Sequence, residues 1–303
     1  MVVRFLLIVF VSQIALVQAR VQIVDDIGTE IVLEQPAMRI VSLAPHLTEL
    51  LFSIGVGDRI IGTVRFSDYP PAALDIPVLG DAFTMNIESI AALKPDMVVA
   101  WQTGGTATVV EKLRQLGINV FINEASDLAS IAASTHKLSI LVGRETEGKK
   151  LQESFLARLD ALDRSRQSAA IAGHDAIRVF FQISDQGLYT VNDKHLIGQA
   201  MSVCGVQNIY GESMIPVPIV SKESVLSANP DVIVISQPLT NVESPWVEKW
   251  SEIPGFGSKI RLIDPALISR PSLRMVQGIE ELCRLVVSTP GVSEVTRSAS
   301  HGK

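Results

Sequence analysis

The chain has 303 residues, 47% of them apolar, with 26 basic and 32 acidic side chains and a net charge of −6. That length and composition suit two globular α/β lobes of ordinary size. The acidic balance argues against a nucleic-acid partner.

Residues 1–19 read as a cleaved export signal. Arg4 supplies the positive start, and residues 5–16 form an apolar core broken only by Ser12 and Gln13. Val17-Gln18-Ala19 puts small residues at the cleavage position. An uncleaved anchor would need about 20 apolar residues, more than this core offers. No cysteine lies near the cleavage point for lipid attachment, and no later stretch is long and apolar enough to span. A soluble protein in an oxidising compartment, the periplasm, is expected.

Residues 21–34 alternate loosely around Gly28 and predict a β-hairpin. A short strand over 40–43 leads to a helix opened by Pro45 and stopped by Gly55. A strand over 60–64 is followed by the loop Arg65-Phe-Ser-Asp-Tyr-Pro-Pro71. Next comes a stretch that the chain contains twice. Asn86-Ile-Glu-Ser-Ile-Ala-Ala-Leu-Lys-Pro-Asp-Met-Val-Val-Ala100 aligns without gaps on Ser221-Lys-Glu-Ser-Val-Leu-Ser-Ala-Asn-Pro-Asp-Val-Ile-Val-Ile235. In each copy a polar cap opens a short helix, a Pro-Asp pair ends it, and an apolar run reads as a buried parallel strand. Two such copies imply two similar lobes.

After the first copy, Trp101 and the loop Gln102-Thr-Gly-Gly-Thr106 lead to a helix over 107–115. A strand over 119–122 and a helix over 127–141 complete an N-terminal lobe, residues 20–143. Residues 144–168 are charged, with Leu151, Phe155, Leu159 and Leu162 at helical spacing, and predict one long bridging helix. The second lobe, residues 169–290, repeats the plan. It has strands at 178–182 and 260–263 and a strand or loop at 188–190. Helices are expected at 195–204, near 246–250 and at 272–287. Residues 291–303 are expected to be a disordered tail.

The only cysteines are Cys204 and Cys283. An exported chain with two cysteines is expected to pair them. Two separate buried thiols remain the alternative, because the sequence does not give their spacing in space.

No pattern points to catalysis. The five histidines lack the paired spacing of a zinc enzyme, and there is no Gly-x-Ser-x-Gly and no phosphate-loop Gly-Lys-Ser/Thr. No metal site and no cofactor are expected. Gly104-Gly105 could cradle an anion between strand and helix, but two glycines in a loop are a weak signal and an ordinary tight turn is the commoner explanation. His46, at a helix start beyond a strand, could reach a metal centre in a ligand; capping or solvation is the commoner role. In parallel sheets ligands bind beyond the carboxyl ends of the strands. Phe66, Tyr69, Phe83, Trp101 and Tyr189 sit on such loops.

Arg39-Ile-Val-Ser-Leu-Ala-Pro45, Thr48-Glu49-Leu50, Ser67-Asp-Tyr-Pro-Pro71, Met85-Asn86-Ile-Glu88, Leu93-Lys-Pro-Asp96 and Ala100-Trp101 together resemble the periplasmic cobalamin-binding proteins of ABC importers. So do Val220-Ser221 with Glu223, Pro230-Asp231, and the ending around Arg270, Arg274 and Cys283. The resemblance runs from about residue 38 to 288. It implies a helix-bridged α/β fold of two lobes with a cleft between them. The wider family also carries ferric siderophores and haem.

The resemblance further implies roles for single residues. Trp101 would stack on the ligand, Phe66 stands where the family has a Tyr against it, and Tyr189 falls near a second-lobe Phe. Arg270 or Arg274 would face the corrinoid. Glu88 and Glu223 would dock into arginine pockets of the membrane permease, and Cys204 and Cys283 would form a disulfide. Ala82-Phe83 stands where the family has a Trp, and Val217 replaces a second-lobe cleft Trp. Residues 21–37 are an addition more familiar from the siderophore and haem branches. The expected function is that of a monomeric, non-enzymatic carrier of cobalamin or a related corrinoid. A siderophore or haem carrier is the alternative, and an exported α/β enzyme using the Gly104-Gly105 loop the rival of another class.

Overall fold

The computed structural model describes residues 20–81, 84–170, 176–238 and 244–287, with residues 165–170 described by backbone alone. The export signal expected over 1–19, Phe83 and the tail expected over 291–303 lie outside the described residues.

Two strands, β1 (Val21–Val24) and β2 (Glu30–Leu33), pair antiparallel as the hairpin, and Gly28 supplies the positive φ of 86° at its turn. Then come β3 (Ile40–Ser42), α1 (Pro45–Ser53), β4 (Ile60–Gly62), α2 (Ile87–Ala92), β5 (Met97–Trp101), α3 (Ala107–Gln115), β6 (Val120–Asn123) and α4 (Leu128–Leu141). The bridging helix α5 runs from Glu145 to Ala170, about 39 Å at ~1.5 Å per residue. The second lobe follows with β7 (Arg178–Gln182), α6 (Leu196–Val203), β8 (Gln207–Asn208), α7 (Lys222–Ala228), β9 (Val232–Ser236), α8 (Pro245–Ser251), β10 (Ile260–Ile263), α9 (Pro265–Ile268) and α10 (Met275–Val287). The expected helix over 272–287 starts later, at Met275, because Ser272 and Arg274 serve other contacts. The two-residue strand β8 and the one-turn helix α9 are too short to leave a periodic signal.

Both main sheets have four parallel strands, ordered β4-β3-β5-β6 and β8-β7-β9-β10. Each is the order 2-1-3-4 in its own lobe. The internal repeat occupies the same place in both, as the helix and strand that carry the chain across strand 1. Its details also match. Lys94 and Asn229, one position before each Pro-Asp, take left-handed backbone at φ 47° and 43°. Asp96 accepts from the backbone N–H of Met38 and Arg39, and Asp231 from that of Arg178. The Pro-Asp signal therefore does more than end a helix, since the carboxylate pins the start of strand 1.

Side chains alternate across each sheet. Met97 and Val99 join a core with Ile40, Leu47 and Phe121, while Val98 and Ala100 join the opposite core with Ile90 and Leu113. In the second lobe Val179 and Phe181 face one core, and Phe180 faces another around Trp250. The stripe foreseen on α5 connects lobes. Leu151 packs on the first-lobe core, while Phe155, Leu159 and Leu162 pack on the second. Helix α4 does the same, with Leu138 and Leu141 in the first core and Leu128, Ile131 and Ala132 in the second. Two helices, not α5 alone, thus form the spine between lobes.

Cys204, at the end of α6, is bonded to Cys283 on α10, with a Cα–Cα distance of 4.9 Å. Of the two readings left open by the sequence, the structure gives the disulfide.

Candidate ligand-binding cleft

In a sheet ordered 2-1-3-4 the connections leave in opposite directions from strands 1 and 3, and a crevice opens at their carboxyl ends. In the first lobe those strands are β3 and β5. His46 comes from the loop and helix after β3, and Trp101 ends β5. Their rings meet edge to face at 5.4 Å and 87°.

Trp101 is half-buried and held on several sides. Its indole N–H donates to Glu124 at 3.2 Å, and the same carboxylate accepts from the Thr103 backbone N–H at 3.2 Å. Gly104 lies against the ring, where a Cβ would come within 2.4 Å of it. Gly105 has φ 93°. The glycine pair thus lets the loop fold over an indole, which gives it a role that needs no anion. His46 is buried, and desolvation lowers its pKa to about 4. The hydrogen bond to Asn123 opposes that shift and the charge of Arg270 adds to it. Its Nε2 lies 2.9 Å from Asn123 Oδ1. The Asn123 amide nitrogen donates elsewhere, to Asp26, so Nε2 carries the proton and donates. His46 is neither a helix cap nor solvated.

The second lobe reaches across through Arg270, Ser272 and Arg274. Glu49, on α1 and only 2% exposed, accepts from Arg270 Nη1 at 2.9 Å, Ser272 Oγ at 2.6 Å and Arg274 Nη1 at 3.3 Å. Arg270 also donates to Asp68 at 2.7 Å and to the Phe66 carbonyl at 3.0 Å. The guanidinium of Arg274 lies 3.6 Å from the centre of the Tyr69 ring. Burial works against the charge on Asp68. The hydrogen bond and charge of Arg270, with Arg274 behind, outweigh it and hold the Asp68 pKa below the usual carboxylate value.

Of the residues singled out by the sequence, the structure gathers Phe66, Tyr69, Arg270 and Arg274 into this cluster and puts Trp101 on β5. Both arginines are engaged by protein partners. Phe66, at φ 68° and 69% exposed, presents its ring outward while Arg270 holds its carbonyl. Tyr189 is half-buried and pairs with Ile219 in an isolated antiparallel bridge, beside the exposed Val217. Met214, 96% exposed, begins the same apolar loop. Glu88 and Glu223 lie exposed in the first turns of α2 and α7. Glu223 is partly tied to its own helix start. The backbone N–H of its own residue and the Ser221 side chain, both at that helix start, lower its pKa. Glu49, Asp68, Ser272 and Glu124 gained no role from the sequence, although Glu49 and Asp68 stood inside two of the motifs. Among the described residues no group of three His, Cys, Asp or Glu side chains converges to hold a metal.

Two lobes of one topology, joined by a helical spine and facing each other across a cleft, define a two-lobe ligand-binding protein. The chain belongs to the periplasmic binding protein family, whose profile matches residues 40–251. The vitamin B12-binding protein of Vibrio campbellii is 33% identical over 249 residues, covering 82% of this chain and 89% of that protein. Its counterpart in Yersinia pestis is 30% identical over 260 residues, 84% and 89% of the two chains. The periplasmic vitamin B12 binding protein BtuF of Vibrio cholerae superposes with a TM-score of 0.73 at 32% identity, covering 83% of this chain and 97% of that one. The periplasmic heme-binding protein HutB of Vibrio cholerae shares the fold, at a TM-score of 0.69 and 21% identity over 82% and 98% of the chains.

Proposed function

We propose that the protein is a periplasmic carrier of cobalamin or a related corrinoid, which it takes between its lobes and hands to an ABC importer. The observation that carries this reading is the likeness to vitamin B12-binding proteins across 82% of the chain. The site's chemistry agrees with it. A corrinoid is broad, flat and partly apolar, and rigid aromatic faces hold such a ligand at little cost in side-chain entropy. Trp101 and the outward ring of Phe66 offer such faces, with Tyr189 and the loop at Met214 and Val217 opposite.

Arg270 and Arg274 act less as ligand contacts than as the ties that set the loop bearing Phe66 and Tyr69. Glu88 and Glu223 are the permease contacts. Each opens the helix leading from strand 2 to strand 3, so each lies at the carboxyl end of its sheet. A two-fold permease can then meet them with one arginine per half. The protein works as a monomer, exported by residues 1–19.

Calorimetric titration against cobalamin, cobinamide, haemin and a ferric siderophore tests the reading, with tryptophan fluorescence followed alongside. Cobalamin should bind tightly and quench emission, because a corrinoid absorbs where tryptophan emits. Trp101→Ala should weaken it by about 2 kcal/mol. Binding of haemin alone would overturn the ligand assignment, and unaltered cobalamin affinity in Trp101→Ala would overturn the cleft.

A further inference from the structure

The hairpin of β1 and β2 precedes the segment that matches the family profile, yet its turn reaches the back of the cleft. Asp25 and Asp26 lie there, one residue apart, with different duties. Asp25, its side chain fully buried, holds the turn itself: it accepts from Ile27 N and Thr29 N, from Ile122 N and from Arg114. Asp26 faces the other way. Its Oδ2 accepts from Asn123 Nδ2 at 3.0 Å, from the Glu124 backbone N–H at 3.1 Å and from the Ser134 hydroxyl at 2.5 Å. Its Oδ1 accepts from Lys137 at 2.9 Å.

Both neighbours that Asp26 fixes end on Trp101. Asn123, with its amide nitrogen committed to Asp26, must turn its oxygen to His46, and His46 stands edge-on to the Trp101 ring. Glu124, with its backbone held by Asp26, accepts the Trp101 indole proton. The indole is therefore held at right angles to the His46 ring by one branch and at its N–H by the other, and both begin at one carboxylate outside the profile-matching segment.

We infer that Asp26 is a positioning residue of the ligand site, through which the N-terminal hairpin sets the orientation of Trp101. The inference deepens the proposed carrier function and rests on it for the part concerning affinity. It also explains why the hairpin carries two acids at its turn. One keeps the turn closed, and the other reads through two hydrogen-bonded branches to the binding face. Buried networks of this kind, with every member satisfied, fix a unique geometry.

The test compares Asp26→Ala with Asp25→Ala in the full-length exported protein. Asp25 accepts from neither Asn123 nor Glu124, so its removal loosens the hairpin without removing a bond of either branch. Nitrogen-15 NMR should show His46 protonated at Nε2 in the parent and in Asp25→Ala. In Asp26→Ala it should become a mixture of tautomers, with a shifted Trp101 indole N–H resonance. Cobalamin affinity should fall at least tenfold in Asp26→Ala and no more than threefold in Asp25→Ala. If Asp26→Ala does not fold, Asp26→Leu serves: it fills a similar volume, offers no acceptor to Asn123 or to Glu124 N–H, and should give the same NMR changes. Unchanged His46 and Trp101 resonances, or equal loss of affinity in the Asp25 and Asp26 variants, would overturn the inference. If the parent itself does not bind cobalamin, the carrier reading fails, and the NMR comparison alone decides for or against the brace.

Discussion

Acid should weaken this protein through His46 before the carboxylates begin to protonate. Burial lowers the His46 pKa from 6.5 to about 4, the hydrogen bond with Asn123 opposing the shift and the Arg270 charge adding to it. The folded-state pKa is thus depressed. Above pH 6.5 both states hold the ring neutral, and nothing is lost. Below it the unfolded chain takes up a proton that the native site refuses, so stability falls until the pH nears 4. The slope approaches about 1.4 kcal/mol per pH unit. From pH 7 to 5 the loss attributable to His46 is about 2 kcal/mol. His46→Gln keeps an N–H to offer Asn123 Oδ1 and cannot titrate. His195, whose Nδ1 caps α6, is also lowered by burial and pulls in the same direction. The informative quantity is therefore the difference between parent and variant. Urea unfolding at pH 7 and pH 5 measures it. The variant should lose about 2 kcal/mol less than the parent. Equal losses in both would refute the argument, because they would mean His46 is solvated in the native state.

Glu49→Ala strands Arg270 and Arg274, and breaking a buried pair costs about 3–5 kcal/mol. Arg270 keeps Asp68 and the Phe66 carbonyl, so the lower end, about 3 kcal/mol, is expected; a loss below about 1 kcal/mol in urea unfolding would show that the cluster is not a unit. The Cys204–Cys283 bond closes a loop with a sequence separation of 79 residues, for which chain entropy predicts about 4.5 kcal/mol. Reduction should lower the melting temperature clearly, and two free thiols in unreduced, denatured protein would dismiss the bond. The pair Glu88→Ala, Glu223→Ala should leave ligand affinity intact and abolish stimulation of the importer's ATPase. Unimpaired transport by that pair would sink the docking role.

What the sequence makes legible is what repeats or alternates. The duplicated helix and strand gave away two lobes, because two cores of one plan need the same buried run and the same cap. The Leu151, Phe155, Leu159 and Leu162 spacing gave away α5, since a helix must bury one stripe. The same spacing does not say that the stripe passes from one core to another. That depends on where α4 lies, and α4 passes once from the second core, at Leu128, Ile131 and Ala132, to the first, at Leu138 and Leu141. The inter-lobe contacts were harder still. Glu49, Ser272 and Arg274 are 223 and 225 positions apart in pairs, and no local pattern couples residues at that range. The family resemblance alone made Arg270 or Arg274 the cation that would face a corrinoid. The structure gives them carboxylates and a carbonyl of their own protein.

Those partners bear on how the cleft can work. The lobes are joined along one side by apolar packing of α4 and α5 into both cores. They are joined at the cleft by Glu49, which is only 2% exposed and has all its donors in the other lobe. Swinging the lobes apart would pull Arg270 and Ser272 off that carboxylate and leave a charge with neither protein partners nor, at first, water. A buried carboxylate without partners is among the costliest groups a protein can hold. Opening is therefore opposed from two sides by different forces, one apolar and one ionic. The side chains that remain least constrained are those at the rim: Phe66, Met214 and Ile219, all more than half exposed. A flat ligand entering such a cleft meets a floor fixed by hydrogen bonds and a rim that can adjust. On the proposed carrier reading, adaptation to a ligand falls to these exposed side chains rather than to a swing of the lobes.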